Sequence, residues 1–250
     1  MPRERNTNYR EIAEYVADKC KEGKWKLFLI VSEGDKTERH YFKEFEARYK
    51  KEFDERNLHV RFVDRKNSAH SDPKHVYDTL EKVCEEFEGI YELREYDELW
   101  LVIDVDDYEN RKDTISDLME KCENEPLYHL ALNNPCFEIW AMLHFTDLDA
   151  DVRNHIRDHS GNCAIKDYIK SFPVRQRPKK CKSLLALIHG NRQPLYENMV
   201  KHIREAIPRA RKMTDCLPPD KDNICMDDCV SIDENNICTD VYKLMEKLIA

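Results

Sequence analysis

Apolar positions recur along the first 145 residues with two alternating periods. In YREIAEYVADKCKE (9–22), Ile12, Tyr15, Val16 and Cys20 fall at helical spacing, and the apolar run KLFLIV (26–31) then predicts a strand. After the turn SEGDKT, a second helix carries Tyr41, Phe42, Phe45 and Tyr49 on one face. The alternation in LHVRFV (58–63) predicts a half-buried strand. Pro73 then suits the first turn of a helix bearing Val76, Leu80, Val83 and Phe87. LWLVI (99–103) is apolar on both faces, the pattern of a central parallel strand covered by helices, and a helix from about Arg111 to Cys122 follows it. LYHLAL (127–132) predicts a fourth strand. PCFEIWAMLHF (135–145) predicts an apolar helix with Pro135 in its first turn.

Strands alternating with helices point to an α/β fold, a mostly parallel sheet flanked by helices. Residues 151–250 read as a mainly helical extension, so the expected organisation is a domain over 1–150 followed by that extension. At 250 residues and 41% apolar, the chain can bury a sizeable core.

Charge changes the picture locally rather than globally. A net charge of -9 and a pI of about 5.6 argue against a general polyanion coat. Yet Lys170 to Met213 holds twelve Lys/Arg against two Asp/Glu, and residues 214–240 hold eight acids against one lysine. In the basic stretch, VRQRPKKCK places Arg175, Arg177, Lys179, Lys180 and Lys182 in a loop, with Lys201, Arg204, Arg209, Arg211 and Lys212 on a following helix. Such a patch either binds nucleic-acid phosphates or is neutralised within the molecule, for example by the acidic segment after it.

No run reaches the roughly 18 apolar residues of a membrane span, and MPRERNTNYR lacks the apolar core of a secretory signal. The expectation is a cytoplasmic protein without membrane contact, its ten cysteines free thiols. Cys216, Cys225, Cys229 and Cys238 form C-x8-C-x3-C-x8-C in the acidic loop. Four thiolates can close a tetrahedral zinc site, although familiar sites use close pairs and only the middle two qualify; the alternative is an acidic loop with free thiols.

The candidate chemistry lies at the strand ends. In an extended chain, residues two apart face the same way, so Asp104 and Asp106 in LWLVIDVDDYEN can point together while Asp107 points elsewhere. The first strand also ends in an acid, Glu33. If strands one and three are neighbours, Glu33, Asp104 and Asp106 converge on a hard oxygen site of the kind Mg²⁺ or Mn²⁺ occupies; otherwise they solvate the strand ends. Lys36 and Arg39 flank Glu33 and either bind a substrate phosphate or sit on a solvated face. Asp35 with Glu38 three later reads as a helix cap. Glu138, amid apolar neighbours, is either a functional acid or the polar stripe of its helix. His144 reads as a satisfied core or edge histidine.

These blocks together resemble the RloB family, Toprim-related proteins of prokaryotic defence loci. The matching segments are LFLIVSEGDKTERHYF, LWLVIDVDD and ALNNPCFEIWAMLHF, with a weaker similarity in NICTDVYKLMEKL. The resemblance implies a Toprim-like fold in which Glu33, Asp104 and Asp106 bind Mg²⁺ for chemistry at phosphodiesters, with Glu138 as the signature acid. It also implies an ABC-type ATPase partner and a nucleic-acid target, tRNA or other RNA or DNA, in antiviral defence; a homodimer stays open. Two other readings compete. In a haloacid-dehalogenase-like phosphatase Asp104 would be the nucleophile, but Tyr108 stands where that motif has Thr or Val and Glu33 is unexplained. In a non-catalytic subunit that binds ATPase or nucleic acid, the acids would be incidental.

Overall fold

A computed structural model describes residues 9–20, 25–34, 36–65, 72–105, 108–149, 151–154, 193–215 and 237–249. The chain is α/β, with a five-stranded, mostly parallel sheet in the order β2-β1-β3-β4-β5. It divides into two compact units, chiefly Met1–Ile103 with Thr114–Leu130, and Asp104–Asp113 with Ala131–Leu248.

The first unit contains α1 (Tyr9–Cys20), β1 (Lys26–Ser32), α2 (Thr37–Glu55), β2 (Leu58–Phe62), α3 (Pro73–Glu85) and most of β3 (Glu98–Asp104). Parallel β2 and β3 flank β1, with Ile30 opposite Phe62 and Trp100, and Ser32 opposite Val102. Leu27 through Val31 and Leu99 through Ile103 are buried, as apolar runs in central strands must be. Pro73 opens α3 as expected, behind Asp72, whose carboxylate caps the Lys74 N–H at 2.8 Å. α2 starts at Thr37 behind Lys36, whose side chain makes no capping bond, and Glu38 is buried; Asp35, the residue expected to cap the helix, lies outside the described residues.

The amino ends of the strands are tied by buried acids. Asp97, 1% exposed, accepts from Leu27 N (2.8 Å), Tyr91 Oη (2.8 Å) and Arg94 N (3.0 Å). Glu98 accepts from Lys26 Nζ (2.7 Å) and Trp100 Nε1 (2.8 Å). Cys20, Cys84 and Cys122 are free, and burial pushes their thiols up to about 11, 12 and 12, which leaves little thiolate at neutral pH.

β3 ends at Asp104 and is followed by α4 (Tyr108–Asn124) and β4 (Tyr128–Asn134); the second unit continues with α5 (Glu138–Leu143), α6 (Gln193–Lys201), α7 (Ile203–Asp215), β5 (Cys238–Thr239) and α8 (Val241–Ile249). Leu99 N bonds Leu127 O and Val105 N bonds Asn133 O, both 28 residues on, so β3 and β4 run the same way. β4 runs two residues further than its apolar pattern predicts because Asn133 and Asn134 pair with Thr239 and Cys238 of antiparallel β5. Pro135 therefore does not open the helix. It follows a cis peptide bond in the intervening turn, and α5 begins only at Glu138. α7 packs on both α5 and β5.

Trp140 and His144 are fully buried. His144 Nδ1 lies 2.9 Å from Trp140 O, and since a carbonyl only accepts, Nδ1 carries the proton. This is the satisfied core histidine the sequence suggests. Burial pushes its pKa down to about 3, and that of His59 down to about 4. The unfolded chain thus binds protons at both sites below about 6.5 while the folded chain does not. Stability is accordingly unaffected above that pH and falls below it, by up to about 1.4 kcal/mol per histidine per pH unit until the folded values are reached. Imidazole ¹⁵N shifts followed by NMR should show both rings neutral at pH 5; titration near 6.5 would refute the assignment.

Candidate functional site

The carboxyl end of β1 is built from Ser32, Glu33 and Gly34. The Glu33 amide continues the β1–β3 ladder by donating to Val102 O at 2.9 Å, and Glu33 is only 5% exposed. A carboxylate that deep requires hydrogen bonds or a cation. Ser32 Oγ donates to Gly34 O at 3.1 Å and holds the turn closed. A Cβ at Gly34 would fall on the Glu38 carboxylate, which is itself buried and would have to move aside. The turn after β1 therefore carries two buried acids, Glu33 and Glu38. The sequence pattern reads Glu38 as part of a helix cap, and the structure adds that it is buried.

At the other strand end, Asp104 is half-buried. Its Oδ1 accepts from Asn133 Nδ2 at 3.1 Å, and its backbone carbonyl accepts from Arg111 Nη1 at 2.9 Å. Asn133 is fully buried, and its Oδ1 accepts from Thr239 Oγ1 at 2.6 Å. Thr239, also fully buried, accepts in turn from Val241 N at 3.3 Å. The pairings Val105–Asn133 and Asn133–Thr239 set the ends of β3, β4 and β5 side by side. Neither Asn133 nor Thr239 is marked by periodicity. The available signal was a pair of asparagines closing an apolar strand, where an unpaired amide would be costly.

Asp106 lies outside the described residues, as do Arg175, Arg177, Lys179, Lys180, Lys182, Cys216, Cys225 and Cys229. Cys238 is half-buried in β5. Glu138 is half-buried at the first residue of α5. Lys36 is exposed where α2 begins. Arg39 is engaged instead with Asp64, through Nε at 2.6 Å and Nη2 at 3.3 Å, and Lys43 joins the same carboxylate at 2.6 Å. Burial alone would raise the Asp64 carboxyl, but these cationic donors outweigh it and hold the group below the usual carboxylate range. On α7, Arg209 donates to Leu143 O at 2.8 Å and faces Glu205 and Asp147, while Arg211 pairs with Glu246. Those two arginines are neutralised within the molecule; Lys201 and Lys212 are exposed.

Among the described residues, no three His, Cys, Asp or Glu side chains gather as a metal site. Asp104 presents a carboxylate, the kind of ligand that hard cations take. A groove of about 690 Å³ over β2 and α2 has charges of both signs, Lys50 and Arg61 with Glu46 and Asp54. It lacks the strand-end acids, so it is a poorer candidate for metal chemistry. No described helix is long and apolar enough to cross a membrane.

A family model described as RloB-like protein matches residues 28–248. No curated protein and no solved structure matches the chain.

Proposed function

The chain belongs to the RloB-like family, and we propose that it is a Mg²⁺- or Mn²⁺-dependent nuclease that hydrolyses phosphodiester bonds of RNA or DNA. The observation that carries this reading is the sheet order. From β1 the chain adds β2 on one side and β3 and β4 on the other, so the strand order reverses between β1 and β3. Ligands of open α/β sheets gather beyond the carboxyl ends at that reversal. β1 is followed directly by an acid, Glu33, and β3 ends in one, Asp104.

In this reading Glu33, Asp104 and Asp106 hold the cation. When bound, it would supply Lewis-acid activation of the phosphodiester and a nucleophilic water at neutral pH. Asn133 holds Asp104 in the acceptor role, and Arg111 fixes the backbone at the strand end. Glu138 is assigned as an auxiliary acid, with Lys36 and the basic run Arg175–Lys182 as phosphate contacts. Arg39, the other candidate phosphate contact, is held by Asp64. The proposed setting is antiviral defence alongside an ABC-type ATPase.

The test is incubation with mixed RNA and DNA in Mg²⁺ or Mn²⁺, alone and with an ABC-type ATPase. Fragments that disappear on adding EDTA are expected. Tight nucleic-acid binding with no metal-dependent cleavage in either condition would favour the non-catalytic subunit instead.

A further inference from the structure

We propose that Asn133 and Thr239 are positioning residues, forming a buried one-way hydrogen-bond relay that fixes the Asp104 carboxylate at the end of β3. The inference rests on the reading of Asp104 as a cation ligand, but the relay has consequences that are visible without a cation.

The direction of the relay follows from donor counting. Val241 N–H can only donate, so it occupies an acceptor lone pair of Thr239 Oγ1. The one hydroxyl proton of Thr239 is then given to Asn133 Oδ1 at 2.6 Å. With its oxygen turned to Thr239, the Asn133 amide presents Nδ2 to Asp104 Oδ1 at 3.1 Å. The flipped amide would set its oxygen against a carboxylate oxygen, two acceptors face to face. Only one orientation satisfies all three groups.

The fold supports the same conclusion. Directly opposed residues in an antiparallel pair place their side chains on one face, and Asn133 is paired with Thr239. β5 is only two residues long, Cys238–Thr239, so delivering Thr239 to β4 is a large part of what that strand does. Asn133 and Thr239 are fully buried, so water cannot replace a lost partner. The C-terminal segment therefore takes part in shaping the strand-end acids, through side chains that touch no substrate.

Thr239→Val keeps the side-chain shape and removes the donor, while Thr239→Ser restores it. In the metal-free protein, NMR exchange of the Asn133 side-chain amide should be at least about tenfold faster in Thr239→Val than in wild type, and near wild type in Thr239→Ser. Mn²⁺ affinity by calorimetry should fall about 10- to 100-fold in the valine variant and recover in the serine variant, the usual range for a ligand's supporting partner. Wild-type exchange in a folded Thr239→Val protein would overturn the relay, as would unchanged Mn²⁺ affinity where wild type binds Mn²⁺. If the valine variant does not fold, the wild-type signal decides: an amide exchanging as fast as exposed asparagines refutes it. Failure of wild type to bind Mn²⁺ would instead count against the metal reading, and amide exchange would still judge the relay.

Discussion

Asp104→Asn is expected to lower metal-dependent cleavage on the order of 10³-fold while leaving the melting temperature near that of wild type. The substitution preserves shape and an oxygen that can accept from Asn133 Nδ2, so the bond at 3.1 Å can persist. What it removes is the negative charge. A neutral amide oxygen is a weaker ligand for a hard divalent ion, and a 10³-fold loss corresponds to about 4 kcal/mol of transition-state stabilisation. Asp104 is half-buried and sits at a strand terminus, so no core packing is disturbed. Asp106→Asn should lose a similar factor. Cleavage by the Asp104→Asn protein at the wild-type rate, with EDTA sensitivity retained, would remove Asp104 from the site.

What was legible in the sequence follows from which forces leave a period. β1 and β3 are buried on both faces, and their unbroken apolar runs gave their positions to within two residues. The parallel pairing of β1 with β3 follows from the helices between them. β5 could not be read, because two residues carry no period and their pairing is made by contacts with Asn133 and Asn134 more than a hundred residues away. The same long-range pairing displaced the start of α5, since local preference for proline in a first helical turn competed with ladder bonds that extend β4. Charges were the least legible. Arg39, Arg209 and Arg211 read as candidate phosphate contacts, yet they meet Asp64, Leu143 O and Glu246, partners that only the fold brings near.

Asp97→Ala should be the most destabilising single substitution at a strand-end acid, at about 3–5 kcal/mol. Three donors converge on this carboxylate, Leu27 N and Arg94 N from the backbone and the Tyr91 hydroxyl, and Asp97 is 1% exposed. Alanine leaves all three without their acceptor, and each buried unmet donor costs about 1–3 kcal/mol before relaxation. Leu27 lies in central β1, so the damage reaches the middle of the sheet. Against a total stability of about 5–15 kcal/mol, the loss takes a large share, and for a chain of this size each kcal/mol lowers the melting point by roughly 2–4 °C. Asp97→Asn should cost less, because the amide retains one acceptor oxygen while its NH₂ group faces at least one donor. Urea unfolding of both variants checks this, and a cost below about 1 kcal/mol for alanine would show that Asp97 does not tie the strands. The contrast with Asp104 is the more searching comparison. Both acids border the same strand, Asp97 just before it and Asp104 at its end; the first should cost stability when removed and the second activity. If Asp104→Asn instead unfolded the protein while Asp97→Ala left it stable, the division of β3 into a structural end and a chemical end would be reversed.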